Sequence, residues 1–201
     1  MKTIINSIWI SLGLLLITGQ GWAQTTEYTI DKSSTMVING TSNIKDWKAE
    51  VEEMNAKISL TPSLLEQDSM ASPVSQFSLT IPVKEIESGK GGMNRKIYGA
   101  LKEEDHPEIM FNLISAALAD TVQSAELFTL KVEGNLSVAG TVNEVSFPVK
   151  GTRVGEDNYR FEGTYGINMK DYDVDPPSAI FGTIKSREEV EIKFNILLTA
   201  N

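Results

Sequence analysis

The chain has 201 residues, with 18 Lys and Arg against 27 Asp and Glu, one histidine and no cysteine. A net charge of −9 offers no basic surface for phosphates, which argues against a nucleic-acid partner and against an anionic membrane surface. Without cysteine there is no disulfide, thiolate metal site or cysteine nucleophile, so a folded domain must hold together through its core.

The N-terminus reads as a secretory signal peptide over residues 1–23. Lys2 precedes an apolar run from Ile8 to Ile17, and Gly21-Trp22-Ala23 puts small residues at the −3 and −1 positions of a cut. Cleavage after Ala23 predicts a periplasmic or secreted protein with one domain over residues 24–201. The apolar run is shorter than the ~20 residues a spanning helix needs, and no later run is longer. The mature chain is therefore expected to be soluble, without a membrane span, as a monomer or homodimer.

Strand periodicity dominates the rest. Tyr28 to Asp31 predicts a short first strand. Met36, Ile38 and Gly40 alternate with polar neighbours, and Thr41 to Asp46 predicts a turn. Trp47, Ala49 and Val51 form a second half-buried strand; Ala56, Ile58 and Leu60 form another. Thr61 to Ser75 reads as a loop, with one helical turn at Ser63 to Gln67. Phe77, Leu79 and Ile81 alternate again, and Pro82 ends that strand or places it at an edge.

The one helical segment follows. Met93, Ile97, Ala100 and Leu101 fall within about 100° of a helical wheel, with Gly91-Gly92 as entry and Pro107 as stop. Two roles fit it: a plug for a core, or a cover over one end of a ligand cavity.

Ile109, Phe111 and Leu113 return to strand, followed by a turn near Ala119 to Ser124. Phe128 to Val138 is the clearest alternation. At eleven residues it would be about 36 Å long, and Gly134 marks a bend. Gly140 to Asn143 predicts a turn. Val145, Phe147 and Val149 continue, Gly155 to Asn158 turns, and Tyr159 to Ile167 alternates. Lys170 to Ile184 reads as irregular, and Val190 to Leu198 is the last strand. Eight or nine long antiparallel strands with one helix close into a sandwich or a barrel, and the interior glycines favour a barrel wall. A barrel of about eight strands has room for one small ligand.

Chemistry-bearing residues are sparse. His106 is the only histidine and no nucleophile elbow accompanies it, so it reads as a polar residue at a helix end. Asp171, Asp173 and Asp175 have the spacing that opens a calcium loop, but Pro176 and Gly182 stand where its glycine and its bidentate glutamate belong. Gly89 to Gly92 lacks phosphate-loop spacing. Glu103, Glu104 and Asp105, with Glu188 and Glu189, leave a carboxylate hydrolase as a remote alternative. Asn39 and Asn135 begin glycosylation sequons.

The order of motifs resembles a known family. They are Tyr28-x-Ile-Asp31, Gly40-Thr-Ser-Asn-Ile-Lys-Asp-Trp47, Ile81-Pro-Val83 leading to Met93-Asn94, and Leu101-Lys102 with His106-Pro-Glu-Ile-x-Phe111. Leu136-x-Val-x-Gly140, Asp171-Tyr-x-Val-x-Pro-Pro177 and Val190-x-Ile-x-Phe194 complete the set. Together they look like the YceI-like family of secreted bacterial proteins. The resemblance implies an all-β, extended antiparallel lipocalin-like barrel that binds a long-chain or isoprenoid-like lipid, with no catalytic residue, metal or cofactor. The apolar strand and helix faces then become the expected cavity lining: Met36, Ile38, Trp47, Phe77, Leu79, Met93, Ile97, Leu101, Phe111, Phe128, Leu130, Phe147, Phe161, Tyr165 and Phe194. A structural or stress-related module with a filled core is the alternative.

Overall fold

The computed structural model describes residues 25–64, 72–119, 126–179 and 184–201. The expected signal peptide, most of the helical turn expected at Ser63 to Gln67 and the turn expected near Ala119 to Ser124 fall wholly or largely outside the described residues. What precedes that helical turn is a 3₁₀ turn at Pro62–Leu64.

Alternation becomes strand along most of the chain. The strands are β1 (Thr26–Ile30), β2 (Thr35–Ser42), β3 (Trp47–Val51), β4 (Asn55–Leu60), β5 (Val74–Pro82) and β6 (Ile86–Glu87). After helix α1 (Gly91–Ala100) come β7 (Glu108–Leu118), β8 (Leu127–Val138), β9 (Thr141–Val154), β10 (Asn158–Asn168), β11 (Ser178–Ala179) and β12 (Ile184–Ala200). Eight of them, in the order β1, β4, β5, β7, β8, β9, β10 and β12, form a closed antiparallel barrel sealed by the β1–β12 pairing. β2, β3 and β6 extend the wall beyond β12 at one end.

That extension follows from two bent strands. β1 and β2 run in succession along β12, with Ile30 opposite Leu198 and Thr35 opposite Asn195. Four residues, Asp31 to Ser34, thus face two, and an Asp31 carboxylate accepting from the Ser33 N–H at 2.8 Å fixes the kink. β4 and β3 follow β1 and β2 in the same way. The barrel is an up-and-down meander in which each wall strand lies beside its sequence neighbour.

Several boundaries differ from the sequence expectation. β2 continues to Ser42, through residues whose polarity suggested a turn, because Ser42 pairs with Ser186 of the long β12. The turn expected over Gly140 to Asn143 is only Ala139-Gly140, both with positive φ (50° and 85°), and Thr141 already pairs with Val138. That is the backbone of a two-residue hairpin whose twist matches its strands. β12 begins well before Val190. Gly134 is not itself the irregularity in its strand. The register shift lies opposite it, at Ile114 in β7, and a Cβ on Gly134 would stand 2.3 Å from the Phe111 ring. The glycine makes room for an aromatic ring.

The seam between β9 and β10 is open along part of its length. β9 and β10 pair only where Lys150 to Val154 meet Asn158 to Glu162. Beyond Lys150, β9 stays on β8 down to Thr141, while β10 stays on β12 as far as Asn168. The two strands splay, and a 3₁₀ turn at Met169–Tyr172 packs between them. Asn143 Nδ2 ties that turn to β9 through a 2.7 Å hydrogen bond to the Asp171 carbonyl.

Candidate functional site: an apolar chamber inside the barrel

The inward faces of the strands do not fill the barrel. They enclose a cavity of about 270 Å³ whose described lining is wholly apolar or aromatic. No charged side chain among the described residues lines it. β8 alone contributes Leu130, Val132, Leu136 and Val138. Eight steps of about 3.3 Å, tilted 35–45° as in barrel walls, give a chamber roughly 20 Å long. That length against that volume describes a narrow tube.

The end near Leu60, Leu130 and Leu198 is shut by rings. Tyr28 packs edge-on against Tyr159 at 6.0 Å between centroids, and Phe128 reaches Tyr159 at 6.5 Å and Phe161 at 6.1 Å. Burial pushes the Tyr28 phenol up to about 12. A second aromatic chain crosses the middle of the tube: Phe77 to Phe111 at 5.9 Å, Phe111 to Phe147 at 6.0 Å, and Phe147 to Phe194 at 6.3 Å.

The opposite end lies under α1 and the segment from Met169 to Pro177. Ile97, Ala100 and Leu101 of the helix line the chamber, as do Met169, Tyr172, Val174 and Pro177. The helix is held by polar groups on its far side. Asn94, buried, accepts from the Ser88 N–H at 2.9 Å and donates to Glu87 Oε2 at 2.6 Å. Tyr98 Oη donates to the Lys84 carbonyl at 2.9 Å. A buried amide with both ends satisfied fixes the helix in one place.

Of the side chains expected to line a cavity, Met36, Ile38, Trp47, Phe77, Leu79, Ile97, Leu101, Phe111, Leu130, Phe147, Phe161, Tyr165 and Phe194 stand on its wall. Met93 and Phe128 do not. Met93 lies one turn before Ile97, so it packs half-buried against the surrounding core while the chamber sits under the later turn. Phe128 is 1 % exposed within the ring cluster that closes the end. The periodicity of strand and helix assigns a face but carries no information about depth along it.

Tyr172, Val174 and Pro177 lie in the segment that reads as an irregular acidic loop. The segment has a period of two, with Tyr172 and Val174 alternating against Asp171, Asp173 and Asp175. In the fold the aspartates face solvent and the apolar pair is buried. Asp173 pairs with Lys102 at 3.1 Å and Asp175 with Lys170 at 2.5 Å. Among the described residues no group of His, Asp and Glu could hold a metal ion. His106 packs its ring over Gly140, where a Cβ would meet Nε2 at 2.5 Å.

The few polar handles on the wall collect at the helix end. Trp47 lies flat on Gly40, its strand partner, and its buried Nε1 has no hydrogen-bond partner. Tyr165 and Tyr172 flank the open seam. Burial raises both phenols, that of Tyr172 to about 12; the Asp171 carboxylate raises both further, while a hydrogen bond with Asn143 holds Tyr172 back.

The YceI-like domain family matches the chain over residues 28–198. No curated protein sequence matches it. Solved structures share its fold at low identity. BcnA of Burkholderia cenocepacia is 18% identical with a TM-score of 0.67, covering 85% of this chain and 100% of its own. A polyisoprenoid binding domain from Saccharophagus degradans, implicated in plant cell wall breakdown, is 13% identical with a TM-score of 0.64, covering 88% and 99%. The YceI protein of Campylobacter jejuni is 12% identical with a TM-score of 0.58, covering 76% and 84%.

Proposed function

The chain belongs to the YceI-like family, and we propose that it binds one long apolar lipid chain, isoprenoid or fatty-acyl, inside the barrel and sequesters or carries it without chemical change. The observation that carries this reading is the tube: apolar along its whole described wall, shut at one end by rings and covered at the other by a helix. Each methylene moved from water into it contributes about 0.8 kcal/mol. Against an association cost of roughly 4–15 kcal/mol, about ten of them reach at best the millimolar range, and micromolar affinity needs a chain of about fifteen carbons or more. The polyisoprenoid binding domain of the same fold supports this class of ligand. A binding role without catalysis is supported by a described wall that holds no carboxylate, histidine or other charged group.

The same reading takes residues 1–23 as a cleaved signal and places the mature chain in the periplasm or outside the cell. Its test is N-terminal sequencing of the protein from its own host, with Gln24 expected first.

The binding reading is tested by native mass spectrometry of protein purified from its host, before and after organic extraction. An apolar adduct is expected, and stripped protein should take up a fluorescent fatty-acyl or isoprenoid probe. Protein that carries nothing and takes up no probe would instead support a filled-core module, the reading favoured by the chamber's modest volume.

A further inference from the structure

We propose that the polar end of the bound chain sits at the open seam between β9 and β10, beside Tyr165 and Tyr172, and that this end is uncharged or cationic but not anionic. The proposal deepens the lipid-binding reading and rests on it. The tube is directional. The phenols of Tyr28 and Tyr159 belong to the ring cluster behind its far end and not to its described wall, on which the only phenol and indole groups are those of Tyr165, Tyr172 and Trp47, toward the helix end. A bound amphiphile therefore places its tail toward Leu198 and its head toward the phenols, since a polar head at the leucine end would be buried without a hydrogen-bond partner on the wall.

The seam supplies a way out for that head. On the other side of β10 the wall is a continuous ladder through β12, β2 and β3: Gly40 is paired with Trp47 on one side and Val190 on the other, and Ile167 is paired with Val190. A polar groove runs along that stretch, but its Lys48 and Lys193 are tied to Glu50 and Glu191. Between Thr141–Val149 of β9 and Gly163–Asn168 of β10 there is no backbone ladder, only side chains and the 3₁₀ turn.

The charges around the seam decide the class of head. Asp171 stands at the seam next to Tyr172 in the 3₁₀ turn, its carbonyl tied to Asn143 of β9 and its side chain exposed. The cations that approach, Lys102 and Lys170, are already held by Asp173 and Asp175. A phosphate or carboxylate would meet Asp171 without a free cation to offset it. An alcohol, carbonyl or ester can instead exchange hydrogen bonds with the phenols.

The test uses the full chain and one fifteen-carbon isoprenoid tail with three heads: farnesol, farnesylamine and farnesyl diphosphate, each displacing a fluorescent acyl probe. Farnesol is expected to bind at least about tenfold more tightly than the diphosphate at low salt, where like-charge repulsion is least screened. Asp171→Asn should narrow that gap by strengthening the diphosphate alone. Tyr165→Phe should weaken farnesol several-fold more than a plain fifteen-carbon hydrocarbon, a difference that a merely structural role for the hydroxyl would not produce. Equal or tighter binding of the diphosphate, or a Tyr165→Phe effect that is the same for alcohol and hydrocarbon, overturns the proposal while leaving lipid binding intact. If no tail binds with any head, the lipid-binding reading falls and the proposal with it.

Discussion

The rings of Phe147 and Tyr165 lie 4.9 Å apart across the seam along which β9 and β10 exchange no ladder hydrogen bonds. Side chains hold this part of the wall together. Phe147 also reaches Phe111 and Phe194, so it joins the seam to the aromatic chain that crosses the tube. Removing its ring should open the seam and widen the chamber together. Phe147→Ala is expected to lower stability by about 3 kcal/mol, read as a lower urea midpoint at unchanged slope. It should also shift the preferred ligand toward longer chains. A variant as stable as the parent, with the same chain preference, would show that the seam does not depend on this contact.

The volume of the tube sets a length. At roughly 15–30 Å³ for each water-sized group, 270 Å³ takes about ten to twenty chain carbons. Across prenols of five, ten, fifteen, twenty and forty carbons, affinity should rise through the middle members and then level off or fall. A steady gain up to forty carbons would mean that the barrel expands well beyond the chamber seen here.

Much of this arrangement was legible in the residues. Strict alternation such as Phe128 to Val138 can only be a strand with one buried face, and a turn that requires positive φ announced itself at Gly140. What could not be read is depth and gap. Phe128 and Leu130 share one inward face, yet one closes the tube and the other lines it, because that depends on which ring stands opposite. The seam was equally hidden. Val145 to Val149 and Gly163 to Ile167 alternate like paired strands, and only the barrel's closure shows that they part. The segment Lys170 to Pro177 misled for a third reason: its exposed aspartates outweigh in sequence the buried Tyr172 and Val174 between them.

The helix end supplies a contrast between neighbours in sequence. Leu101 stands on the chamber wall directly after α1, whereas His106 packs on the Ala139-Gly140 turn away from it. Leu101→Asp would bring a carboxylate to a wall without a charged partner, so loss of probe binding and a stability cost of several kcal/mol are expected. His106→Ala should cost about 1 kcal/mol or less and leave binding intact. Probe binding lost in a folded His106→Ala variant would place the histidine in the binding machinery after all.

Alkaline pH should unfold this barrel in a defined window. Burial is the first cause that pushes the phenols of Tyr28 and Tyr172 up to about 12, one in the ring cluster at the closed end and one beside the seam. An unfolded tyrosine releases its proton near pH 10. Because the folded values are raised, the stability linked to these protons is fully present below about pH 10 and is lost as pH climbs from there through about 12. Urea midpoints should therefore hold between about pH 8 and 10 and fall steeply above. Tyr172→Phe should flatten that fall by removing one of the two groups, and Tyr28→Phe should do the same from the other end. At those pH values bound lipid should leave sooner in the parent than in Tyr172→Phe, since Tyr172 stands on the apolar wall and its ionisation would bring a charge there. Identical alkaline profiles for the parent and both variants would mean that neither phenol keeps its proton more tightly in the folded barrel than in the unfolded chain.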